Sequence, residues 1–154
     1  IGQLPGTRLI ARRIAGTRMV LCASPRYLRQ ADPIRSLEDL ADQAVIGYTY
    51  LATGEVWHFT GPEGPRGIEL RPRLRSNNGD TCRAAALADQ GIVLQPGFLV
   101  NADLQAGRLV RVLPQYEGRE LDIHVVYPSR MHLSHKVRAM VDFLGRAFAQ
   151  AGRL

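Results

Sequence analysis

Lysine is almost missing from this chain. Lys136 is the only one among 20 lysines and arginines, so the net charge of +6 rests on arginine. Those arginines are scattered among 14 acidic residues rather than gathered into a run. The densest group, Arg71, Arg73 and Arg75, alternates along an expected strand and so lies on one face. No zinc-finger spacing or RNA-binding aromatic signature accompanies it, which argues against direct nucleic-acid binding by this segment. Cysteine is scarce too: Cys22 and Cys82 are too few for a disulfide framework in 154 residues. They read as reduced core thiols, although Cys82 falls near a predicted helix start, where a thiolate is favoured, and is therefore a redox candidate. No apolar run approaches the roughly 20 residues of a membrane span. Met19–Ala23 and Gly91–Leu94 are strand-sized. The opening Ile1-Gly2-Gln3-Leu4-Pro5 has no basic region followed by an apolar stretch, so no signal peptide is read there and a cytoplasmic location is expected.

Catalytic signatures are also absent. The chain has no Gly-x-x-x-x-Gly-Lys phosphate loop, no Gly-x-Gly-x-x-Gly fingerprint and no Gly-x-Ser-x-Gly nucleophile elbow. His132 and His135 could share a helix face, but no Cys or carboxylate stands at metal-ligand spacing from them. His58 and His124 are isolated between apolar neighbours and read as strand histidines. Glu38-Asp39 sits in a predicted first helical turn, where the helix dipole accounts for it. The expectation is no catalytic residue, no metal, no cofactor and no enzyme activity.

What is present is an alternation of strand and helix signals with short connections, which predicts an α/β fold with largely parallel sheets. Leu9–Ile14 and Thr17–Ala23 read as extended, stopped by Ser24-Pro25. Pro25 suits the first turn of a short helix to about Arg29. Ser36 and Asp39 match a capping box for a helix ending near Asp42. Ala44–Tyr50 reads as a strand, and the Gly- and Pro-rich stretch Leu51–Gly67 as a hairpin or loop, with a short strand at Trp57 and Phe59. Ile68–Arg75 alternates as a half-buried edge strand. Helices are expected at Thr81–Asp89 with Gly91 as C-terminal cap, and at Phe98–Gln105 with Gly107 after it. Strands are expected at Ile92–Leu94, Leu109–Leu113 and Leu121–Tyr127. A final amphipathic helix, capped by Ser134, would bury Val137, Met140, Val141, Leu144 and Phe148.

One stretch has the character of a site. Ser76-Asn77-Asn78-Gly79-Asp80 is the strongest turn-and-cap signal in the chain. A turn of this kind leading into a helix leaves backbone N–H groups unpaired, and such a terminus binds anions. In an open α/β sheet it lies beyond the carboxyl ends of the strands, where ligands sit. The alternative is a plainly capped helix, its donors met by Asn78, Asp80 or water.

Four stretches, taken in order, resemble the effector-binding domain of LysR-type transcriptional regulators. They are Ile1-Gly2-Gln3-Leu4 through Leu9–Arg13 with Met19–Leu28; Asn77–Asp80 with its Ala-rich helix; Gly91–Pro96 with Phe98-Leu99-Val100; and Leu104 through Val110, continuing to Val126–Arg130 and Lys136–Leu144. The resemblance implies a type 2 periplasmic-binding-protein-like fold, two Rossmann-like lobes joined by two crossover strands near Thr17–Ala23 and Leu121–Tyr127. It implies a second lobe over residues 20–120 and a first lobe built from 1–19 with 121–154. The first lobe would be incomplete, its first strand and helix lying upstream together with the winged helix-turn-helix. Such a fragment is expected to self-associate or be marginally stable. The implied partners are a small organic effector, anionic by chemistry, and DNA reached only through the missing N-terminal domain. No membrane is involved, and the intact protein would be a homo-oligomer, dimer or tetramer. The effector is expected in the inter-lobe cleft against Gln3, Asn78, Gly79, Asp80, Thr81, Gln95 and Phe98. A transport-type periplasmic solute-binding protein is the alternative on the same fold; an enzyme such as a deaminase or transferase is the third class.

Overall fold

The computed structural model describes residues 9–50, 54–128 and 134–150. The chain divides into two compact units, one of Arg18–Arg119 and one of Ile1–Thr17 with Glu120–Leu154.

The first strand, β1 (Leu9–Ala23), belongs to both, exposed at residues 9–13 and buried from Met19 to Ala23. It is one strand rather than the two expected pieces. Gly16 does not interrupt it; a Cβ there would meet the Arg13 guanidinium at 2.8 Å and the Glu120 carboxylate at 3.0 Å, so the missing side chain makes room for that pair.

In the larger unit the sheet order is β5-β2-β6-β1-β7. β2 (Val45–Tyr48) runs parallel to β5 (Leu74–Ser76) and β6 (Ile92–Pro96), while β1 pairs antiparallel with β6 and with β7 (Val110–Arg111). The parallel expectation therefore holds for three strands and the sheet as a whole is mixed. A small antiparallel sheet adds β4 (Gly64–Glu69), β3 (Val56–Gly61) and β8 (Glu117–Gly118). The expected strand Ile68–Arg75 is corrected: it is broken between Glu69 and Leu74, around a buried Pro72 that has no N–H for a ladder. The expected strand Leu109–Leu113 shortens to β7, and Leu113 adopts φ 48°.

Helix α1 (Pro25–Gln30) is capped by Ser24, whose hydroxyl accepts from the Tyr27 N–H and donates to Asp89. The capping box at Ser36 is half correct. Asp39 accepts from the Arg35 and Ser36 N–H groups, but Leu37 occupies the cap and the turn Glu38–Asp42 is 3-10. Two longer helices follow β5 and β6: α2 (Gly79–Leu87) and α3 (Gly97–Gln105). Both end in the same device. The Gln90 N–H reaches the Ala85 carbonyl and the Asp89 N–H that of Ala86, with Asp89 left-handed at φ 63°. The Arg108 N–H reaches the Asp103 carbonyl and the Gly107 N–H that of Leu104, with Gly107 at φ 69°. The left-handed residue after α2 is thus Asp89, not Gly91 as expected. Gly91 is needed because its α-carbon lies against the Ala44 carbonyl oxygen at the start of β6.

Between these helices and the sheet lies the core of Val20, Cys22, Ile46, Cys82, Ala86, Val93, Val100 and Leu109. Each fully buried aliphatic side chain here contributes about 1.5–3 kcal/mol relative to exposure.

In the smaller unit β9 (Glu120–Pro128) pairs with β1, and α4 (His135–Gln150) follows, its Val137 N–H reaching Ser134 Oγ at 3.4 Å. Arg12 pairs with Asp142 at 2.8 Å, and Arg13 with Asp122. Of the apolar residues expected to be buried on α4, Val141 is, whereas Met140 is 56% exposed. Amphipathic spacing identified the helix but placed its buried stripe too broadly.

Candidate functional site

The larger unit places the beginnings of α2 and α3 at the carboxyl ends of the parallel strands β5 and β6, side by side. Asn78 caps α2: its Oδ1 accepts from the Thr81 N–H at 3.0 Å, and its own N–H is held by Ser76 Oγ at 3.1 Å. That leaves the Gly79 and Asp80 N–H groups without a partner among the described residues. Asp80 is exposed and is not the cap, so its carboxylate does not occupy these donors. α3 starts after Pro96, and among the described residues no side chain is hydrogen-bonded to its first turn. Two helix termini with open donors and positive dipole ends thus share one edge of the sheet.

Gln95, the penultimate residue of β6, lies between them. Its side chain is 1% exposed, and its Nε2 has no hydrogen-bond partner among the described residues. Leaving a buried amide donor unpaired costs about 1–3 kcal/mol. Its Oε1 lies 3.1 Å from where a Cβ at position 79 would stand, and Leu99 Cδ1 would be 2.7 Å from it. A side chain at position 79 would therefore press on the ends of the Gln95 and Leu99 side chains. Phe98, 40% exposed in the first turn of α3, supplies an apolar surface.

Behind the termini, Asp103 on α3 is fully buried and binds two arginines. Arg83 Nε and Nη2 of α2 donate to it at 2.5 and 3.0 Å, and Arg108 Nε at 2.8 Å. The Arg83 hydrogen bonds hold the Asp103 carboxyl below the usual carboxylate range, with Arg108 adding to the effect. This cluster ties the middle of α2 to the last turn of α3.

A family model described as the LysR substrate binding domain matches residues 1–149. The chain belongs to that family. Among curated relatives, the HTH-type transcriptional regulator DmlR of Escherichia coli K12 is 36% identical over 152 residues, covering 97% of this chain and 49% of the relative. PtxR of Pseudomonas aeruginosa, another HTH-type transcriptional regulator, is 32% identical over 144 residues, 94% of this chain and 46% of the relative. This LysR-family chain spans about half the length of the curated relatives it matches. Among solved structures, the regulatory domain of CrgA, a LysR-type regulator from Neisseria meningitidis, superposes with a TM-score of 0.84 at 28% identity, over 96% of this chain and 72% of that one. Full-length AphB, the Vibrio cholerae virulence activator, gives 0.81 at 29% identity, over 94% and 49%. The fold is accordingly that of LysR regulatory domains, and the functional class is the effector-binding domain of a LysR-type regulator rather than a transport-type solute-binding protein.

Within this LysR domain the structure brings Asn78, Gly79, Asp80 and Thr81 together at one helix terminus, with Gln95 beside Gly79 and Phe98 in the adjoining first turn. Gln3 lies outside the described residues, as does His132. Sequence reasoning missed Asp103 and its arginines. Asp103 and Arg83 stand 20 positions apart, with no local signature. Cys82 is corrected as a redox candidate: although near the start of α2 it is fully buried, and desolvation raises its thiol pKa; Cys22, likewise buried, is pushed up to about 12. Among the described residues no group of three His, Cys, Asp or Glu could hold a metal ion, and no helix is long and apolar enough to cross a membrane.

Proposed function

We propose that this domain senses a small organic anion held at the joined N-termini of α2 and α3. The observation that carries the reading is Gln95: a buried amide donor that, like the N–H groups of the two helix starts beside it, has no partner among the described residues. A carboxylate placed there would accept from backbone N–H groups, the Gln95 amide and the Thr81 hydroxyl, while Phe98 would cover the apolar part of the ligand. Asn78 and Gly79 shape the terminus, Asp80 sets a negative limit on one side, and Gln3 is the remaining proposed contact. In this reading the domain is no enzyme and needs no cofactor. It acts from the cytoplasm as part of a homo-oligomeric regulator whose N-terminal segment carries the DNA contact, and differential binding of the effector to two states of that assembly shifts its population.

Calorimetry on the full-length regulator with a panel of mono-, di- and aromatic carboxylates tests this. Gln95→Leu keeps the volume and removes the donor; with a binding acid it should weaken affinity about tenfold or more, and Thr81→Val by a smaller factor. Unchanged affinity in both variants, or a cationic effector, would show that these termini are structural.

A further inference from the structure

β1 enters the larger unit beside the start of α3, and its first residue there is a cation, Arg18. The pairing of β1 with β6 runs from Cys22 opposite Val93 to Met19 opposite Pro96, and Pro96 is the residue before α3. Arg18 is the next residue out along β1, so its backbone lies where β6 gives way to the first turn of α3. The same register sets the direction of its side chain. Val20 stands opposite Gln95 and, with Cys22 and Val93, belongs to the core beneath α2 and α3. Side chains two apart on a strand share a face, so Arg18 projects on the Gln95 side of the sheet. It is the diagonal neighbour of Gln95, at a separation of about 7–8 Å that a long side chain can span.

Arg18 already has one partner. Its Nη1 lies 2.6 Å from Glu117 Oε2 on β8, while its Nε and Nη2 have no partner among the described residues. Gly118 makes that pairing possible. A Cβ there would stand 2.2 Å from the Met19 carbonyl oxygen, so a residue with a side chain could not bring β8 close enough to set Glu117 beside Arg18. The two side chains are 44% and 59% exposed, and an ion pair in that setting contributes little. Another anion can therefore take the place of Glu117 at small cost, and a guanidinium suits an oxyanion because its donors bind two oxygens at once. We propose that Arg18 is the cationic residue of the anion site and that Glu117 is its internal competitor, displaced when the anionic group of the effector reaches the start of α3. This inference rests on the reading of the site given above and adds its regulation: Glu117 holds the cation while the site is empty and sets the threshold for binding.

Inorganic sulfate, an anion that needs no apolar contact, is the probe. The experiment titrates the full 154-residue chain with sodium sulfate at constant ionic strength. NMR follows the backbone N–H groups of Gly97 and Phe98 and the side-chain NH₂ of Gln95. Opposite effects are expected from the two halves of one ion pair. Arg18→Gln should weaken sulfate binding about tenfold, because charge-assisted hydrogen bonds to the anion are lost. Glu117→Gln should tighten it about threefold, because the competitor is gone. A pair with a merely structural role would move both affinities alike or not at all. Equal affinities in wild type and both variants overturn the proposal, as does weaker binding in Glu117→Gln. Should Arg18→Gln melt early, Glu117→Gln carries the test, since a loss of fold cannot tighten binding; Arg18→Lys, which keeps the charge, should bind between wild type and Arg18→Gln. Gln95→Leu separates this proposal from the reading beneath it. Sulfate binding that Gln95→Leu weakens but that ignores Arg18 and Glu117 keeps the anion site and sinks the proposal. A wild type with no saturable response, or one that Gln95→Leu leaves unchanged, counts against both.

Discussion

Replacing Asp103 by Asn removes one charge and almost no volume, and so isolates the electrostatic joint between α2 and α3. The carboxylate is fully buried and accepts from Arg83 Nε, Arg83 Nη2 and Arg108 Nε, with Arg108 Nη2 at 2.7 Å as well. Asparagine keeps one acceptor oxygen but turns an NH₂ group toward a guanidinium that can only donate. Breaking a buried ion pair from one side typically costs about 3–5 kcal/mol. The arginines are 31% and 56% exposed, so their charges recover some hydration when the partner is lost, and about 2–4 kcal/mol is the better figure here. With an unfolding entropy of about 2.1 cal/mol/K per residue, that lowers the melting temperature by about 6–12 °C. The pH dependence has a definite sign. The folded Asp103 carboxyl titrates below its unfolded value, so its contribution is fully present above the unfolded pKa of about 3.9 and is lost as pH falls through the folded one. Circular-dichroism melts of both proteins should differ by a constant amount from about pH 5 to 8 and converge in stronger acid. A melting temperature for Asp103→Asn within about 2 °C of wild type at pH 7 would refute the reasoning, as would a gap that persists undiminished to the lowest pH at which the fold survives.

Two further outcomes follow from the packing. Gly91→Ala should destabilise the larger unit by about 2–4 kcal/mol, because the new methyl meets the Ala44 carbonyl at a backbone with φ 144°; urea midpoints measure it, and a neutral substitution would contradict the close approach. Both thiols should resist a disulfide-exchange reagent in the native state at pH 8 and react together in denaturant, since burial raises both pKa values; fast native-state labelling of Cys82 would restore it as a redox candidate.

The features legible in the sequence are those written locally. Asn-Asn-Gly-Asp announced α2, which is capped by Asn78 and starts at Gly79, two residues before the expected Thr81. The Gly107 terminus of α3 and the Pro25 start of α1 were readable for the same reason: each is decided by a φ angle or a missing N–H on one residue. Misreadings arose where a distant neighbour decides. Gly91 looks like a helix cap, but the crowding that demands glycine comes from Ala44, far back in the chain. Ile68–Arg75 alternates like a strand, yet Pro72 is buried over Gly47 and interrupts the ladder. At the site, Gln95 and the 78–81 turn could be chosen because both fall at strand ends. That Gln95 Oε1 abuts Gly79, that its Nε2 has no partner among the described residues, and that Asp103 of α3 binds Arg83 of α2 all depend on the packing of α2 on α3, which no local pattern encodes.

The central claim is that an anion is held by the open donors of two helix starts and the Gln95 amide. It is tested most directly by amide NMR of the domain titrated with the carboxylate that calorimetry identifies. The account predicts that the backbone N–H signals of Gly79, Asp80, Gly97 and Phe98 and the side-chain NH₂ of Gln95 shift downfield together with one saturation curve, and that the Gln95 pair is absent and the curve weakened in Gln95→Leu. Saturable binding that leaves these five groups unmoved while shifting others would contradict it.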